Sequence, residues 1–119
     1  MISAELKRVH SPDVVDLAAY QPTEEEMFGF LLQLIAGPSG EDGEESFDVT
    51  VCTPAWLQRN LGRTDIVMGR HYLFVRRYDY QGLMRFLVDY CQNCRGDSWS
   101  EVAEQLGRIG KWEFEDYRP

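Results

Sequence analysis

Cys91-Gln92-Asn93-Cys94 is a CxxC, the spacing at which two thiols can share a zinc ion or exchange a disulfide. Zinc needs four ligands. Beyond this pair the chain offers Cys52, His10 and His71, with no second pair at a ligand-like spacing. A redox pair works best with its first thiol at a helix N-terminus, where the dipole lowers the thiol pKa. Here both cysteines fall in the last turn of the helix that the pattern predicts, so they read as buried packing. His10-Ser11 sets an imidazole beside a hydroxyl but brings no third orienting group, His71 falls inside a strand pattern, and no GxSxG elbow occurs. Glu113 and Glu115 share a face if the tail is extended, and paired carboxylates can hydrolyse a glycoside at a separation of roughly 5–9 Å. Two acids at i and i+2 meet that distance in nearly any strand, so the pair has little specificity. The glycine-rich loop 37–44 is acidic and lacks the lysine of a phosphate cradle, and it does not match the ligand spacing of an EF-hand. No residue is assigned to catalysis, to a metal or to a cofactor.

The elements around these residues follow from periodicity. Ile2, Ala4 and Leu6 alternate with Ser3, Glu5 and Lys7, which predicts a strand broken at His10-Ser11-Pro12. Residues 13–26 read as a polar connection held to the core by Val14, Val15, Leu17 and Tyr20. Met27 to Ala36 is apolar on both alternating faces apart from Gln33, the pattern of a central strand. After the turn signals of 37–44, Phe47, Val49 and Val51 alternate with polar residues, predicting a hairpin with an acidic tip. Thr53-Pro54 caps a short helix over Ala55 to Leu61, closed by Gly62. Arg70 to Arg77 reads as a further strand. Asp79 caps a longer helix with Leu83, Phe86, Leu87, Tyr90, Cys91 and Cys94 at helical spacing, ended by Gly96. Ser98-Trp99-Ser100-Glu101 fits a capping box for a last helix with Val102, Ala103, Leu106 and Ile109 on its apolar stripe. The aromatic tail 111–117 is expected to dock on the body. The expectation is one α+β domain over 1–119: an antiparallel sheet of about four strands, packed on one face by two to three mainly C-terminal helices.

Charge is the most informative bulk property. The 119 residues carry a net charge of −8, which argues against a general nucleic-acid binder and against acidic lipid surfaces. Between Arg8 and Arg59 there is no Lys or Arg, while ten carboxylates fall inside: Asp13, Asp16, Glu24, Glu25, Glu26, Glu41, Asp42, Glu44, Glu45 and Asp48. Residues 59–88 reverse the sign, with six arginines against Asp65 and Asp79. The interleaved Tyr72, Phe74 and Tyr78 give that span the makeup of a surface for single-stranded nucleic acid, which the net charge opposes. The odd cysteine count, the lack of a basic-then-apolar start and the short apolar runs point to a reducing cytoplasm and to no membrane span. Oligomeric state stays open, since symmetric association leaves no signature in a sequence.

Gly96-Asp97-Ser98-Trp99, Glu101-Val102-Ala103, Leu106, Arg108-Ile109-Gly110 and Trp112-Glu113-Phe114-Glu115-Asp116-Tyr117 form a distinctive ordered set. Phe28-Gly29-Phe30, Gly43-Glu44-Glu45-Ser46-Phe47-Asp48, Val51-Cys52-Thr53-Pro54 and Trp56-Leu57 precede it. Together, from Leu6 to Tyr117, the chain resembles the immunity protein 8 family of bacterial polymorphic toxin systems. The resemblance implies an α+β protein made beside a secreted toxin, whose toxic domain it binds, and supplies no catalytic residues to carry over. Toxin domains of such systems are often nucleases with basic grooves, which an acidic inhibitor can reach at a high on-rate. The expected partner-binding residues are Glu41, Asp42, Glu44 and Glu45 at the hairpin tip, with Glu24, Glu25 and Glu26 as a second patch and Tyr20 or Phe28 as an aromatic anchor. Trp99, Trp112 and Phe114 read as core. Two other classes stand beside this one: a scaffold unrelated to toxins, and a small hydrolase using the tail carboxylates Glu113 and Glu115.

Overall fold

The first strand, β1 (Ile2–His10), carries its alternation past Leu6 as far as His10, with one register step between Leu6 and Arg8. This is seen in a computed structural model that describes residues 1–116, so Tyr117 lies outside the described residues. β2 (Gly29–Pro38) buries Phe30, Leu32, Leu34 and Ala36 on one face and leaves Leu31, Gln33 and Ile35 half-buried on the other. β3 (Glu45–Cys52) buries Phe47, Val49 and Val51 and pairs antiparallel with β2 from Gly29↔Cys52 to Ala36↔Glu45. That is the expected hairpin, and it is flanked on the far side by β1, antiparallel to β2. At the hairpin loop the backbone folds back on itself so closely that a Cβ on Gly37 would collide with the Gly43 carbonyl oxygen.

Thr53 caps α1 (Pro54–Asn60), its Oγ1 accepting from the Trp56 N–H at 3.3 Å, and Gly62 turns the chain out at a φ of +63°. A loop then returns the chain to β4 (Tyr72–Phe74). Because a helix separates β3 from β4, the chain comes back in the same direction, and β4 runs parallel to β3. The sheet expected to be antiparallel is therefore mixed at this edge. β4 is also shorter than the expected Arg70–Arg77, because only Thr50–Cys52 of the β3 edge is open to it.

Asp79 caps α2 (Tyr80–Gln92), accepting from the Gly82 N–H at 3.1 Å, and Leu83, Leu87 and Cys91 form its buried stripe. Phe86, expected on that stripe, flanks it and is 50% exposed. β5 (Arg95–Gly96) adds two residues beside β1. α3 (Trp99–Leu106) buries Val102, Ala103 and Leu106. Ser98 Oγ accepts from the Glu101 N–H as a capping box requires, while the Glu101 carboxylate reaches one residue further back, to the Asp97 N–H at 2.8 Å. The tail docks as expected: β6 (Lys111–Trp112) pairs antiparallel with Phe47 and Asp48, taking the part of the β3 edge that β4 leaves. The strand order is β4-β3-β2-β1-β5, with β6 also on β3. This is an α+β fold, its core lying between the even-numbered face of β2 and the helices. In the 13–26 connection Val14 is buried and Leu17 and Tyr20 pack against the core, whereas Val15 is fully exposed.

Candidate partner-binding surface

The acids of the hairpin tip are held in place by β1. Ser39 N–H donates to Ser3 O at 2.9 Å, Gly40 N–H donates to Glu5 Oε1 at 3.2 Å, and Lys7 Nζ donates to Glu41 O at 2.8 Å. The backbone hydrogen bond from Gly40, and then the Lys7 ammonium, lower the Glu5 carboxyl below its usual range. Glu44 pairs with Arg8 at 3.1 Å across an exposed surface, a bond worth little by itself. Glu41 and Asp42 are exposed, and among the described residues no cation lies within ion-pair distance of either.

Glu45, at the start of β3, is tied into the fold. Its Oε1 accepts from Trp99 Nε1 at 2.7 Å and from Trp112 Nε1 at 2.9 Å, tying the start of α3 and the strand β6 to the start of β3. The side chain is engaged within the fold. Glu24, Glu25 and Glu26 are exposed in the turn before β2, where Glu25 meets Arg77 at 3.5 Å. Ten residues of β2, about 30 Å of strand, separate this patch from the hairpin tip. The two sets of acids therefore belong to opposite ends of the sheet. Neither proposed aromatic anchor is free: Phe28 is 4% exposed, and Tyr20 packs edge-on against Phe28, Phe30 and Tyr78 with ring centroids 5.0–6.2 Å apart.

The remaining chemistry-bearing residues are engaged or dispersed. Cys52, Cys91 and Cys94 are free and buried; burial pushes the Cys91 thiol up to about 12, with Cys94 adding to it, and raises the other two. That is the reverse of an activated thiol. Glu113 and Glu115 do not act as a pair. Glu113 Oε1 accepts from the Ser46 N–H at 2.9 Å, while Glu115 meets Arg70 at 2.8 Å and His71 Nε2 at 3.4 Å, and only Glu115 lines the neighbouring recess. Trp112 stacks on Phe47 at 6.3 Å, but Phe114, expected in the core, is 42% exposed. Among the described residues no group of three or more His, Cys, Asp or Glu side chains is placed to hold a metal, and no helix is long and apolar enough to cross a membrane.

One surface was missed by the sequence reading. Phe86, about half exposed, borders a cleft of about 280 Å³ between β4 and α2 with Arg76 and Arg77 among its lining, and Phe74, also about half exposed, stands at the β4 edge beside it. Exposed aromatics beside arginines are the composition of binding hot spots. The signal for it is the arginine-rich span with interleaved Tyr72 and Phe74, a makeup that points to single-stranded nucleic acid and that the net charge opposes.

What the fold presents is a small α+β protein with acidic residues exposed at both ends of its central strand. The family model of immunity protein 8 matches residues 4–117, and the chain belongs to that family. No match was found among curated proteins or among solved structures. Membership gives the chain the role of an immunity protein in a toxin system.

Proposed function

We propose that this chain neutralises a cognate secreted toxin domain by stoichiometric binding in the cytoplasm, without catalysis, its acidic hairpin tip facing a basic toxin site such as a nuclease groove. The observation that carries the charge part of this reading is that Glu41 and Asp42 stand exposed and without cation partners among the described residues, on a loop pinned to β1. A preformed cluster of like charge raises the encounter rate with a partner of opposite charge, and desolvated pairs then slow release. Glu24, Glu25 and Glu26 form a second acidic patch for the same kind of partner, at the other end of β2.

The test is kinetic. Glu41, Asp42 and Glu44 are replaced together by Ser, and association with the cognate toxin domain is followed across a salt series. Association at low salt should fall about tenfold and its salt dependence should flatten. A triple variant that associates at the wild-type rate removes the loop from the interface. The same substitutions at Glu24, Glu25 and Glu26 then show whether the other end carries the charge contact.

A further inference from the structure

The open edge of β4 is the strongest unassigned feature. Thr50 N–H donates to His71 O at 3.0 Å and Val75 N–H donates to Cys52 O at 2.9 Å, so His71 and Val75 face β3. Backbone groups alternate sides along a strand, so Leu73 faces β3 as well, and the N–H and C=O groups of Tyr72 and Phe74 point away from it. Among the described residues nothing is paired with them. On the helix side of this edge lies the cleft floored by Leu73, Val75 and Leu83 and bordered by Phe86. On the opposite side the rings of Tyr72 and Phe74 stack at 6.1 Å. A strand laid along the edge would place alternate side chains in the cleft and across the stacked rings.

Charge selects the occupant. Arg76 lines the cleft beside the edge and has no carboxylate within ion-pair distance among the described residues. Arg77 has only the exposed contact to Glu25 at 3.5 Å. A second copy of this chain fits poorly. A copy docking by the same edge would bring its own Arg76 and Arg77 to it, adding like charge to like. We propose that β4 takes an extended acidic segment of the toxin domain as an added strand, with an apolar side chain of that segment in the β4–α2 cleft and its carboxylates on Arg76 and Arg77. The proposal rests on the immunity reading, since the toxin supplies the strand. It differs from that reading in surface and in sign of charge.

The test exploits the outward N–H of Phe74. Phe74→Ala removes the ring and keeps the donor; Phe74→Pro removes both, while every bond from β4 to β3 remains. Binding of the cognate toxin domain is compared for the wild type, both variants and the Arg76→Glu/Arg77→Glu double variant. Phe74→Pro should bind about tenfold more weakly than Phe74→Ala while unfolding at a similar urea midpoint, and the double charge reversal should weaken binding more at low salt than at high. Should Phe74→Pro not fold, amide exchange on the wild-type chain decides: Tyr72 and Phe74 N–H groups should exchange fast alone and become protected in the complex. No complex with the wild type overturns the immunity reading and this inference with it. A complex indifferent to the proline, with both amides still exchanging at their free rate, overturns the added strand alone. A free wild type that sediments as a dimer, and a monomeric Phe74→Pro, would give the edge to a second copy and overturn the assignment to toxin.

Discussion

Glu45 offers the sharpest test of how the molecule is held together. One carboxylate oxygen accepts from two indoles, Trp99 at 2.7 Å and Trp112 at 2.9 Å, and so joins β3 to both α3 and the tail. A hydrogen bond to a charged group contributes about 1.5–3 kcal/mol. Both donors here are half-buried, so water can reach an indole left without its acceptor, and the two bonds share one oxygen. The lower end is therefore appropriate, giving about 2–3 kcal/mol for Glu45→Ala. Unfolding entropy of about 2.1 cal/mol/K per residue, over 119 residues, converts this to a melting temperature lower by about 8–12 °C. Glu45→Gln keeps the acceptor and loses the charge, so its loss should be about 1 kcal/mol. Calorimetry on the two variants reads both numbers. Well below the melting transition, Glu45→Gln should associate with the toxin at the wild-type rate, because this carboxylate is turned to the protein's own tryptophans. A Glu45→Ala protein that melts with the wild type, or a Glu45→Gln protein that stays folded but associates slowly, refutes the reasoning.

Two further outcomes follow from packing and titration. Gly37→Ala should destabilise by about 3 kcal/mol, because the new Cβ meets the Gly43 carbonyl and backbone cannot step aside. Gly40→Ala, at a φ of +75° with open space around it, should lose only about 1 kcal/mol; urea unfolding of the pair gives the order, and the opposite order would contradict the loop geometry. Burial raises Cys91 from 9.0 to about 12 and Tyr78 from 10.0 to about 12, so the folded chain keeps protons that the unfolded chain releases. This contribution is fully present below pH 9.0 and is lost as pH rises from there towards 12. The urea midpoint should therefore fall through that window, less steeply in Cys91→Ala, and identical slopes in variant and wild type would contradict the assignment.

The local elements were legible because each is written in a short window. The alternation in β2 and β3, the caps Thr53, Asp79 and Ser98, and the aromatic content of the tail all pointed to what the structure has. What was not legible depends on residues far apart in the chain. Glu45 sits among other acids and reads as surface; only the arrival of tryptophans 54 and 67 residues later gives it another role. The parallel pairing of β4 and its short length follow from α1 and from β6 sharing the β3 edge, a competition that no local pattern records. Phe86 has helical spacing, but Leu83, Leu87 and Cys91 already fill the stripe facing the sheet, so the ring is left beside the cleft. The acidic segment between Arg8 and Arg59 was plain in the sequence. That its two clusters lie at opposite ends of a strand of about 30 Å was not.

The central claim is immunity by direct binding. The measurement that tests it most directly is co-purification of this chain with the product of the gene immediately upstream, with growth of cells expressing that product scored with and without this chain. The account predicts a stable one-to-one complex and restored growth. A toxin domain that stops growth, is not bound by this chain and is not relieved by it would contradict the account.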